Sequence, residues 1–208
     1  MGRHDPLNAV SVQGKVAMSR SDDELQRATG HVVYELGALV NCYRALRMAE
    51  SDDNFLAANS YLEAMLVHAR CLIEFIAKDP TKEHRDIHRY DYLPGWDLID
   101  PTNRDEARTL YTQVSKHLAH LSWERVKVPS DDFPRWPYRL PGFVVKLFEK
   151  FVRELQKVDA GKPWLPLFVE GVQSARGKLP DAPPSGGATT TSGSVVTHTT
   201  FPRKPGAK

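Results

Sequence analysis

No stretch of this 208-residue chain approaches the roughly 18 uninterrupted apolar residues of a membrane helix, and no apolar run follows Met1-Gly2-Arg3-His4-Asp5-Pro6. The expected location is therefore the cytoplasm, with no membrane association. Pro6 stands where a myristoylation signal carries Ser or Thr, so no lipid anchor is expected at Gly2. The formal net charge is only +2, too small for global attraction to nucleic acid or anionic lipid. The chain has no glycine-rich phosphate loop, no Gly-x-Ser-x-Gly elbow and no His-Glu-x-x-His, which removes the common nucleotide, hydrolase and zinc-protease readings. Glu-x-x-His pairs of the di-iron bundles are missing too.

Cysteine is scarce: only Cys42 and Cys71 are present. Both fall in helical patterns on either side of a turn near Ser51, nine residues before it and twenty after it. Antiparallel pairing would offset them by about 16 Å at 1.5 Å per residue, beyond a disulfide's reach. Two reduced, buried thiols are expected.

What is abundant is helical periodicity. Residues 1–20 carry no sustained period and read as a flexible arm. Ser21-Asp22-Asp23-Glu24 is a capping box, and Leu25, Ala28, Val32, Leu36, Leu39, Val40, Tyr43 and Leu46 then recur at three- and four-residue steps. Gly30 and Gly37 in that helix suggest close packing. Ser51-Asp52-Asp53-Asn54 supplies a turn and cap. The following helix has one stripe of Phe55, Leu62, Leu66, Ala69, Ile73 and Ile76 and a second of Tyr61, Met65, Leu72 and Phe75, as expected at the centre of a bundle. Arg70 and Glu74 are spaced as an i, i+4 ion pair. Asp79-Pro80 ends the helix.

Residues 81–101 form a long connection containing Arg85, His88, Arg89, Tyr90, Tyr92 and Trp96, whose aromatic content favours packing as a cap. Thr102-Asn103-Arg104-Asp105 resembles a capping box with Asp for Glu and predicts a third helix to about Val126. A fourth is predicted from Gly142 to Val158, closed by Asp159-Ala160-Gly161 with glycine in the left-handed position. A short apolar coda follows, and the Pro, Gly, Ser and Thr content of residues 179–208 predicts a disordered tail. The expected fold is all-α: an up-and-down four-helix bundle over residues 21–178, with a short extra C-terminal helix and disordered termini.

Polar chemistry is crowded at one place, Ser115-Lys116-His117-Leu118-Ala119-His120-Leu121-Ser122-Trp123. On a 100° wheel Leu110, Val114, His117, Leu118 and Leu121 share the buried side, while His120 lies on the flank near Lys116. His117 therefore reads first as a satisfied core residue. His120 reads as a candidate acid or base, with Lys116 one turn away to lower its pKa. Trp123 points away from the core, toward a second packing surface or a second subunit. His68-x-x-Cys71 and His117-x-x-His120 offer zinc-type ligands, but in antiparallel helices the pairs miss by about 10 Å. No metal and no cofactor is expected.

The helix order, the long loop before the third helix, and the strings Leu66-Val67-His68-Ala69-Arg70-Cys71-Leu72-Ile73-Glu74-Phe75 and Lys116-His117-Leu118-Ala119-His120-Leu121 resemble the HEPN superfamily of bacterial defence and toxin proteins. The likeness covers residues 21–158. It implies a helical protein that dimerises, giving Trp123 a partner. Members that cut RNA without metal carry an arginine followed, after four to six residues, by a histidine. Here the positions eligible with His120 hold Gln113, Val114 and Ser115, and those eligible with His117 hold Leu110, Tyr111 and Thr112. The resemblance then implies an interaction module in which the nuclease centre is lost or rebuilt around Lys116. Its interface candidates are His117, Trp123, Arg104, Arg85, His88 and Trp96. A metal-independent ribonuclease using His120 and Lys116, and a nucleic-acid binder without cleavage, are the alternatives.

Overall fold

The computed structural model describes residues 20–79, 86–94, 96, 101–119 and 136–179. The first helix starts where the capping box lies. Ser21 Oγ accepts from the Glu24 amide at 3.2 Å, and the Glu24 carboxylate accepts from the Ser21 amide at 2.9 Å. These bonds pull the Glu24 carboxyl below the usual carboxylate range.

Among the described residues the chain is all-helical. Its α-helices are α1 (Asp22–Ser51), α2 (Phe55–Ala77), α3 (Pro101–Ala119), α4 (Leu140–Val158) and α5 (Leu165–Lys178), with single turns of 3-10 helix at Arg89–Asp91 and Trp136–Arg139. Among the described residues no helix is long and apolar enough to cross a membrane.

Helices α1 and α2 form an antiparallel hairpin. Its turn is fixed by Asn54, whose amide donates to Ala49 O at 2.8 Å and whose Oδ1 accepts from the Ala57 amide at 3.1 Å. Asp53 adopts φ 53°, a left-handed conformation that aspartate tolerates better than most residues. Helix α2 buries Met65, Leu66, Ala69, Leu72, Ile73, Phe75 and Ile76 around most of its circumference, as its pattern predicts. Phe55 and Tyr61, expected in those stripes, stay exposed. The aromatic partners of α2 gather around Phe75 near its other end.

That gathering is the centre of the core. The Phe75 ring lies 5.5 to 5.6 Å from those of Phe151 and Phe148 on α4 and 6.5 Å from Phe168 on α5. Trp164, Tyr92 and Trp96 complete it, with Tyr92 5.1 Å from both Trp164 and Phe168. The apolar coda is thus a full helix, α5, anchored by buried Trp164, Leu165, Phe168 and Val172.

Several local expectations are revised. Helix α3 begins at Pro101, so Thr102 lies in its first turn and is not the cap; proline at the start has φ already set for a helix. The predicted part of this helix after 119 lies outside the described residues. Helix α4 stops through the Asp159 amide donating to Leu155 O at 2.8 Å, and Gly161 does not take a left-handed φ. Gly30 and Gly37 face open space; the glycine of close approach is Gly171, against Val33 of α1. The two cysteines are free, but Cys42 is half-buried and Cys71 exposed, not both buried. Cys71 lies on the solvent side of α2, opposite Leu66 and Ile73, so the apolar pattern around it did not reach its position.

The 3-10 turn fastens the long connection to α1. The Tyr92 hydroxyl donates to Leu25 O at 3.1 Å and accepts from Thr29 Oγ1 at 3.1 Å. Burial pushes the Tyr92 phenol up to about 12, the Thr29 hydrogen bond opposing it in part. The folded state therefore favours neutral Tyr92. Its contribution is complete below the ordinary tyrosine pKa near 10 and is lost as pH rises from about 10 to about 12. Chemical denaturation between pH 9 and 12 should show a loss that is smaller by about 2–3 kcal/mol in Tyr92→Phe than in the parent chain. An equal loss in that variant would exclude Tyr92 as the source. Tyr138, raised further still by burial and by its bond to Glu50, supplies a slope of its own that remains in that variant.

Candidate functional site

Helix α3 presents two faces. Ala107, Leu110 and Val114 are buried, and Leu118 is half-buried against the core, in agreement with the predicted inward side. Lys116 is exposed on the same helix. The side chain of His117 and the whole of His120, Trp123 and Arg85 lie outside the described residues.

The seam between α2 and α3 holds the densest polar chemistry. The ring of Tyr111 on α3 lies near two cations, Arg70 of α2 and Lys78 at the cap that ends it. The Arg70 guanidinium carbon sits 5.5 Å from its ring centroid and Lys78 Nζ 5.9 Å. Arg70 Nη2 also lies 3.5 Å from the Tyr111 hydroxyl, which raises the arginine pKa further. Glu74 hydrogen-bonds Lys78 and raises its pKa. The Arg70–Glu74 pair suggested by their spacing is therefore not the contact formed. An aromatic face competes for arginine because its planar cation loses little solvation there. Arg70 Nε on α2 and Ser115 Oγ on α3 are each enclosed without a hydrogen-bond partner.

At the end of the same seam Arg89 is 2% exposed. Its Nη1 donates to Lys78 O at 2.9 Å, capping the end of α2, and its Nη2 lies 3.3 Å from Asp79 Oδ1. The guanidinium lies 4.0 Å from the centroid of the Tyr90 ring, whose hydroxyl donates to Asp79 Oδ1 at 3.0 Å. Partial burial of Asp79 would raise its carboxyl, but hydrogen bonds from Tyr90 and Arg89 and the charge of Arg104 hold it below the carboxylate range. The Asp79 side chain is 67% exposed, so the ion pair is screened and the buried guanidinium rests mainly on its carbonyl and ring contacts. Sequence reasoning missed Arg89 because nothing in its spacing separates it from Arg85 or Arg104.

The remaining interface candidates scatter. His88, an interface candidate, is buried, with its amide donating to Asp91 Oδ2 at 2.7 Å. Trp96 is half-buried with its ring 5.4 Å from that of Phe151, so it takes the packing role expected of the connection. Arg104 is half-buried on α3, near Asp79.

His68, weighed as a metal ligand, is bound 2.7 Å from Glu35 of α1 through Nδ1. The thiol of its helix neighbour Cys71, exposed as a residue, is raised by partial desolvation and by the charges of Glu35 and Glu74. No group of three or more His, Cys, Asp or Glu arranged to hold a metal ion occurs among the described residues. The described side chains of the α2–α3 seam, Arg70, Glu74, Lys78 and Tyr111, engage one another. No protein-family model, curated protein or solved structure matches this chain.

Proposed function

We propose that this chain is a HEPN-like helical interaction module, acting as a homodimer or against a protein partner in bacterial defence or toxin–antitoxin biology, without strong catalysis of its own. In this reading α1 to α4 make an up-and-down bundle, α5 is its short extra helix, and the protein works in the cytoplasm. The observation that carries the reading is apolar surface around the α1–α2 turn, where Met48 is 65% exposed, Phe55 47% and Leu56 82%. Three large exposed apolar side chains near the turn that joins two helices offer a partner apolar surface to cover. The weak-catalysis part rests on the eligible motif positions Gln113, Val114 and Ser115, none of which carries a guanidinium.

Light scattering on the purified chain tests this directly. A dimeric mass, or a partner recovered from the host, is expected, with Leu56→Asp shifting the particle to monomer at an unchanged melting temperature. A strict monomer that recovers no partner would remove the reading.

The second reading, a metal-independent ribonuclease, is favoured by exposed Lys116, four positions before His120 in the sequence. His120 would serve as general acid or base and Lys116 as the charge that steadies the scissile phosphate. His120→Ala and Lys116→Ala should then each abolish RNA cleavage without lowering thermal stability; cleavage at wild-type rate by both would eliminate it. Nucleic-acid binding without cleavage instead predicts affinity that falls steeply with salt.

A further inference from the structure

We infer that the outward face of the α1–α2 hairpin docks a second copy of this chain, antiparallel and centred on Asn41; the inference rests on the interaction reading above and names its partner and register. Among the described residues nine large apolar side chains are exposed, and six of them belong to this hairpin, so the uncovered apolar surface is concentrated there. On α1, Tyr34, Ala38, Asn41, Ala45 and Met48 follow at three- and four-residue steps, which puts them on one face. Tyr34 is 66% exposed and Met48 65%, and none of these five residues is charged. With 26% of the chain charged, a four-turn face that stays in water would ordinarily carry charge. On α2, Leu56, Ser60, Ala64 and Val67 continue the face, with Leu56 82% and Val67 48% exposed. Glu35 and His68, at the boundary of the two helices, are bonded to each other.

The order of large and small side chains selects the second copy as the occupant. The Glu35–His68 bond sets those residues level across the hairpin, and equal counts toward the turn set Asn41 level with Leu62. About that level the face repeats in reverse. Tyr34 and Met48 lie seven residues to either side on α1, Val67 and Leu56 five and six on α2, with small side chains between. A two-fold axis lying in the interface and crossing α1 at Asn41 lays α1 on α1 and α2 on α2 in opposite directions. Met48 then meets the second copy's Tyr34, and Leu56 its Val67, while alanine lies on alanine near the centre. A two-fold contact requires such self-matching; a different protein does not. Charge agrees, because the same rotation brings exposed Asp52 and Asp53 within one helical turn of the second copy's exposed Arg27. From Arg27 to Met48 the face is about 30 Å long, and across two packed helices about 20 Å wide. Its flat area of about 600 Å², before side-chain relief is counted, approaches the roughly 800 Å² per partner of a stable interface.

The test is sedimentation equilibrium of the full chain from micromolar to submillimolar concentration, where a dimer is expected. Tyr34→Arg and Met48→Glu change exposed side chains and leave folding nearly unchanged, yet each should raise the dimer dissociation constant about tenfold or more. Residues 34 and 48 stand about 21 Å apart along their own helix and cannot meet within one chain. In the antiparallel dimer they meet twice. The chain carrying both substitutions should therefore dimerise more tightly than either single variant, and lose that gain at high salt. Melting temperatures of monomeric samples screen out unfolded variants. A dimer indifferent to both single variants overturns the face and leaves the interaction reading in place. A double variant weaker than both singles overturns the register. A wild type that stays monomeric at the highest concentration overturns the proposal outright, and the interaction reading then survives only with a partner recovered from the host.

Discussion

Replacing Phe151 by alanine should lower the stability of the folded chain by about 3–5 kcal/mol. Phe151 is fully buried on α4. Its ring lies within 5.4 to 6.3 Å of those of Phe75, Tyr92, Trp96, Phe148 and Phe168. It therefore joins α2, the long connection, α4 and α5 at one point. Truncation removes apolar surface and leaves a cavity whose walls belong to four separate segments, so no single movement closes it. For a domain of this size each kcal/mol corresponds to about 2–4 °C, and the melting temperature should fall by roughly 6–20 °C. Far-ultraviolet circular dichroism with temperature measures it. A drop below about 3 °C would mean that the aromatic cluster is not the centre of the core.

Gly171→Ala should also destabilise, although alanine is the better helix former. A Cβ built at Gly171 stands 2.6 Å from Val33 Cγ1, 2.9 Å from Cγ2 and 3.2 Å from Cβ. Valine on a helix has essentially one side-chain rotamer, so Val33 cannot turn aside and α1 and α5 must separate. Overpacking of this kind costs about 1–3 kcal/mol, which outweighs the roughly 1 kcal/mol gained in helix propensity. Gly30→Ala and Gly37→Ala, where nothing stands within 4 Å, should instead gain about 0.5–1 kcal/mol each. Val33→Ala combined with Gly171→Ala opens the required space, so the double-mutant cycle should show a favourable coupling of about 0.5–3 kcal/mol. Additive effects within error would show that the two helices do not touch there.

These two sites also mark how far the residues alone can be read. Ser21 with Glu24, and Asn54 before Phe55, were legible as helix starts because a cap is a local bond between neighbours in sequence. The inward stripes of α1, α2, α3 and α4 were legible for a similar reason: a 3.6-residue period names the face that must leave water. The same period names no partner. Gly30 and Gly171 look alike in the sequence, and only the arrangement of helices decides which has a valine against it.

The candidate site divides in the same way. Lys116 was visible as an exposed cation on α3 because its neighbours set the wheel. Arg70 was read as the partner of Glu74, four residues on, because spacing along one helix is all that the chain displays. Tyr111, forty-one positions away, took the guanidinium instead. Arg89 drew no notice among the cations of the long connection, yet it is the one enclosed against Lys78 O and the Tyr90 ring.

The amino-acid order by itself determined that this chain is helical, where α1 and α2 begin, and which faces of most helices turn inward, because hydrogen bonds within a turn and the removal of apolar stripes from water are near-neighbour effects. Tertiary structure alone decided which glycine is pressed, which cysteine meets solvent, and which cation is left with unmet donors. Those outcomes depend on groups that are distant in sequence and adjacent only after the helices have packed.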